Sequence, residues 1–196
     1  DEAYIQSAND QGLVRYGYYA HNVHFIVASA QMAGDMATAI REARRLRTIL
    51  DVSTSAKIGW IQAIDAAPFL AMAQFATPAA ILAMPPPDAR LPYALAMWHY
   101  SRAVAHAQRR DQRGFDGEMA SLAKLRQAPA ISDLVNQGVP VPDLISLAEA
   151  VARGRFAYAL GRFDDAADHY RRALPLESGL PYQEPPYWYY PVNQSL

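Results

Sequence analysis

The chain has 196 residues, of which 52% are hydrophobic and 19% charged, with a net charge of -1. That balance excludes intrinsic disorder and gives no basic footprint for nucleic acid or an anionic membrane. The length suits one large domain or a short repeat array. No cysteine is present, so no disulfide framework, zinc-thiolate site or cysteine nucleophile exists. Apolar runs such as Ala66 to Ala73 are too short to span a bilayer, so no transmembrane segment is expected. The chain opens on Asp1 without a visible signal peptide, and we expect a piece of a longer protein. Arginine outnumbers lysine sixteen to two, the usage of a GC-rich bacterial genome, and either bacterial cytoplasm or periplasm is compatible.

The 37 alanines, few β-branched residues and absence of strand-like alternation predict an all-α chain. In chain order the apolar periodicity falls into pairs. The first covers about 20–48, with Gly34 in its turn and Ala39, Ala43 and Leu46 on the second helix. A polar Ser/Thr-containing insertion follows at about 51–58. The second pair, about 59–84, turns near Ala76 and has a short second helix carrying Ile81 and Leu82. The third, about 91–126, carries Trp98, Ala103, Phe115, Met119 and Leu122 and turns at Arg109 or Arg110. A second insertion, about 128–144, has room for a short helix over 132–137.

The fourth pair runs from about 143 to 176. Asp143 is a good N-cap after Pro140 and Pro142. Asp164 and Asp165 suit the positive end of the second helix, and Arg171 and Arg172 its negative end. The turn residues Gly34, Ala76, Arg110 and Gly161 are 42, 34 and 51 apart, and the two excesses over 34 match the two insertions. Residues 180–196 form a tail rich in proline and aromatic rings, and Pro191 suits the first position of a further helix.

Gly154, Gly161, Ala166, Tyr170 and Ala173 stand in the register of the tetratricopeptide repeat, and the fourth pair resembles that 34-residue unit. Small residues there let two helices approach closely, and the aromatic fills the gap between neighbours. Pro175 arrives earlier than the family's terminal proline. The whole chain resembles bacterial tetratricopeptide-repeat proteins that carry HN-x-HF and EPP-x-WYYP segments, here residues 21–25 and 184–191. The resemblance implies an α-solenoid of about four helix pairs and brings no catalytic residues with it.

In such an array the first helix of each pair lines a concave groove. That register places His21, His24 and Gln31 there, with Arg155 and Tyr158 from the fourth pair. The third pair offers either Met97, Tyr100 and Gln108 or His99 and His106. Arg102 beside Tyr100 is a further ligand candidate, and Trp188 and Tyr189 of the tail are candidates to line or occupy the groove. The expected function is a non-enzymatic scaffold for a protein or peptide segment, either its own tail or another copy. Two other readings are an enzyme using the groove histidines with a metal, and a structural arm of a larger protein. His21 and His24 share a helix face at a spacing that suits zinc. Zinc needs a third ligand, for which His99 and Glu184 are the nearest options, so the preferred expectation is no metal and no cofactor. In that expectation one histidine caps a helix start and the other packs in the groove. Arg109, Arg110 and Arg113 read as a solvated helix end. Serine-nucleophile, phosphate-loop, dinucleotide and EF-hand signatures are all lacking.

Overall fold

The computed structural model describes residues 1–9 and 12–196. Every regular element among them is helical. Helix α1 (Glu2–Ala8) precedes a π-helical turn, Val14–Tyr18, that runs directly into α2 (Tyr19–Ala33). Helices α3 (Met36–Ile49) and α4 (Val52–Ser55) follow, then α5 (Gly59–Phe75), α6 (Pro78–Leu82), α7 (Pro92–Gln108) and α8 (Gln112–Arg126). Helices α9 (Ala130–Asn136), α10 (Val141–Ala159) and α11 (Phe163–Ser178) lead to a tail that closes in a 3-10 turn, Val192–Ser195.

Local chemistry sets most boundaries. Gly34 ends α2 at φ +73° and Gly161 follows α10 at φ +75°, a left-handed conformation that glycine enters without a Cβ penalty. Arg110 takes the equivalent turn after α7 at φ +56°. Asp35 accepts the Thr38 amide at 3.1 Å, and Asp111 the Gly114 amide at 3.0 Å, each satisfying an orphan donor of a helix start. Helix α10 begins at Val141, two residues before Asp143, because a proline at position 142 is tolerated in a first turn. Pro191 likewise precedes only the short 3-10 turn. The sequence reading assigned no element to residues 1–19, where α1 and the π turn lie.

Helices pack with their chain neighbours. Helix α2 packs on α3, α7 on α8, and α10 on α11; α5 joins α2 and α3 to α7, and α7 joins α5 to α10. Helices α5, α7 and α10 bury most of their residues because each is enclosed by neighbours. Helices α3 and α11 bury a single stripe: Ala39, Ala43 and Leu46 in one, Ala166, Tyr170 and Ala173 in the other. Phe115 stacks on Phe156 at 4.4 Å, joining the third pair to the fourth. Tyr187, Trp188, Tyr189 and Val192 of the tail belong to the same buried cluster as α7 and α10. No helix among the described residues is long and apolar enough to cross a membrane.

Candidate functional site

After α11 the chain comes first to α2 and α5, which residues 183–187 line, then returns past α7 and α10 at Tyr189 to α11 at Val192. Pro181, Pro185, Pro186 and Pro191 keep this stretch extended, since each fixes its own φ and disfavours helix in the residue before it. Tyr182 is 83% exposed, whereas Trp188 is only 5% exposed. The segment therefore has a free arm and a buried end.

The buried end meets a polar centre. Arg155 of α10 donates from Nη1 to the Ala73 carbonyl of α5 at 3.2 Å, and from Nη2 to the Tyr189 hydroxyl oxygen at 3.0 Å. Tyr100 of α7 and Tyr189 share a hydrogen bond of 2.9 Å between their hydroxyls. The guanidinium also lies 5.5 Å from the centre of the Tyr190 ring, a cation–π distance. Trp188 is tilted against Tyr100 at 5.3 Å and against Tyr189 at 5.1 Å, the separation at which aromatic pairs attract. The 3-10 turn is tied down as well, because the Val192 amide donates to Glu177 of α11 at 3.0 Å.

Protonation follows from this placement. Burial pushes the Tyr189 phenol up to about 12, with Arg155 pulling partly the other way. Burial carries Tyr100 well above its ordinary value. Both are neutral donors at pH 7. Burial opposes the charge on Arg155, but the oxygens of Tyr189, Tyr100 and Tyr190 outweigh it and hold its pKa above the ordinary value. Among the described residues Arg155 forms no ion pair with a carboxylate; its hydrogen-bond acceptors are a carbonyl and a phenol.

Residues 183–187 pass over the first two pairs. There a void of about 10 Å³, roughly the room of one water, is lined by His21, His24, Trp60, Gln183 and Glu184 among others. The His21 ring meets Phe25 edge-on at 4.9 Å. Burial, with His21 beside it, lowers the His24 pKa to about 3, so that ring is neutral near pH 7. Among the described residues no group of three or more His, Cys, Asp or Glu side chains could hold a metal ion. Neither histidine caps a helix start, because α2 continues from the π turn without a free end. Beyond this void a cleft of about 820 Å³ opens between Phe25 and Met32 of α2 and the arm at Leu180, Tyr182 and Pro186.

The structure thus brings Tyr100, Arg155, Trp188 and Tyr189 into contact, with His21 and His24 at the far end of the same segment. Gln31 is elsewhere engaged: its amide donates to Gln74 at 2.9 Å, and Gln74 donates back to the Gln31 carbonyl at 3.2 Å. Tyr158 is 64% exposed and rests on Phe163. Arg102 turns away from the tail, over Trp98, and gives its Nε–H to Glu118 of α8 at 2.6 Å. His99 also bonds Glu118 at 2.6 Å, and His106 bonds Asp111 at 2.8 Å. Of the two registers open for the third pair, Tyr100 faces the tail and the histidines face α8. The sequence marks Tyr190 as one of the tail's clustered rings but gives no sign of the Ala73 carbonyl, because no side-chain pattern marks a backbone acceptor.

Compared with known proteins, the chain matches no family model, no curated protein and no solved structure.

Proposed function

We propose that the chain is a peptide-binding module built as a tetratricopeptide-like α-solenoid, with α2, α5, α7 and α10 lining a groove that holds an extended segment rich in proline and aromatic residues. The observation that carries this reading is the seating of residues 183–192 along those helices, with rings buried and the backbone extended, outside any α-helix. Pairing between chain neighbours and the side-by-side run of α2, α5, α7 and α10 support the repeat architecture. The small Gly154, close against Tyr170, supports it too. Extended segments with fixed prolines lose little entropy on docking, and aromatic grooves recognise them for that reason.

The test uses the full chain carrying Trp188→Ala, which loosens the resident tail. A fluorescent peptide of residues 180–196 is titrated in and followed by anisotropy. Saturable binding, weakened at least tenfold by adding Leu70→Glu in the groove wall, is expected. Absence of binding up to millimolar peptide refutes the reading.

A further inference from the structure

We infer that the groove selects its ligand by one phenolic hydroxyl: an extended proline–aromatic segment docks tightly only when tyrosine occupies the place of Tyr189. This rests on the groove being a peptide site, and it names the feature of the peptide that is read.

Two groups of the groove wall converge on the Tyr189 oxygen. Arg155 donates to it at 3.0 Å and the Tyr100 hydroxyl lies 2.9 Å away. Tyr100 is fully buried, and its hydroxyl makes no other hydrogen bond among the described residues. Among the described residues Arg155 has no carboxylate to fall back on. A phenylalanine at this place keeps almost all the apolar contact but strands a buried hydroxyl and one guanidinium N–H. A site built to hydrogen-bond a hydroxyl discriminates strongly against the analogue lacking it, because the cost of the unpaired partners is added to the lost bond.

The adjacent ring behaves differently. The Trp188 indole N–H is buried without a partner among the described residues. Trp188 is held by area and ring contacts alone, so its polar atom specifies nothing. Tyr182 is exposed, Tyr187 makes no hydrogen bond among the described residues, and the Tyr190 hydroxyl accepts from Ser195 of the tail itself at 3.2 Å, offering the helices its ring face instead. Tyr189 is therefore the ring of the segment whose hydroxyl the helices read.

The experiment uses the full chain with Trp188→Ala and Tyr189→Phe, so that the resident tail is loosened and lacks the hydroxyl. Two fluorescent peptides of residues 180–196 are compared, one with tyrosine and one with phenylalanine at 189. The resident tail competes with both equally, and the ratio of their apparent affinities survives that competition. The tyrosine peptide is expected to bind about 10- to 100-fold more tightly. Adding Arg155→Met, or the milder Tyr100→Phe if the first variant does not fold, is expected to bring the ratio below about threefold. Equal affinity of the two peptides for the unmodified groove overturns the inference and leaves peptide binding standing. Binding by neither peptide overturns both.

Discussion

Gly154 shows at the scale of one residue how the fourth pair comes together. A methyl group there would stand 2.7 Å from the Tyr170 ring, and Tyr170 is buried in the core. The ring can approach α10 only because no side chain intervenes. Alanine gains about 1 kcal/mol over glycine in helix propensity. Forcing a buried ring aside costs about 1–3 kcal/mol, so the clash outweighs the gain. Gly154→Ala is expected to destabilise by up to about 2 kcal/mol, the difference of those terms. Gly117 of α8 is the matched control, with nothing within 4 Å of its added carbon. Gly117→Ala is expected to stabilise by about 0.5–1 kcal/mol. Urea unfolding of the two variants checks the opposite signs. Equal effects would mean that the Gly154–Tyr170 approach does not govern the packing of α10 on α11.

Between elements, the connecting segments hold helix ends. Asp35 and Asp111 each cap an amide three residues on, a relation that a short sequence window contains. Gln62 and Gln137 do the same work over long range. Gln62 of α5 accepts the Tyr93 amide at the start of α7 at 2.9 Å, and Gln137, just after α9, accepts the Gly59 amide at the start of α5 at 2.7 Å. Gln62 is 1% exposed, so Gln62→Leu leaves the buried Tyr93 amide unpaired. A loss of about 1–3 kcal/mol is expected from chemical denaturation. A change below about 0.5 kcal/mol would show that the Tyr93 amide finds another acceptor. The same contrast explains what the sequence could tell. Helix identity, pairing intervals and turns follow from alanine content, glycine positions and 3.6-residue periodicity, all local. Tyr100, Arg155, Trp188 and Tyr189 were legible as separate groove or tail candidates. Their convergence was not, because it depends on the tail crossing α10 and α7 in one register, fixed by ring packing over 89 residues of separation. Arg102 and Gln31 are engaged elsewhere for a related reason. Their helical register allowed the groove, but Glu118 and Gln74 on neighbouring helices offered nearer partners.

For the molecule as a whole, the tail is a part of the core and not a strap laid over it. Tyr187, Trp188, Tyr189 and Val192 share one buried cluster with α5, α7, α10 and α11, and Arg155 links tail, α10 and α5 through two hydrogen bonds. Loosening the tail therefore opens the centre of the fold. Trp188→Ala is expected to lower global stability by about 3–5 kcal/mol, the range for removing a large buried aromatic. Loss of helix by circular dichroism and the fluorescence of the remaining Trp60 and Trp98 should follow one shared transition at lower urea. A detachable strap would leave that midpoint where it is in the unmodified chain. If the surface under the segment is the proposed peptide site, filling the core and docking a peptide are linked by mass action. A peptide of residues 180–196 added to Trp188→Ala binds the folded state, and at 100 times its dissociation constant it should restore about 2.7 kcal/mol. Recovery of the midpoint with rising peptide, saturating at one peptide per chain, ties stability and recognition to the same surface. A midpoint that does not move with peptide separates them and leaves the tail a structural element alone.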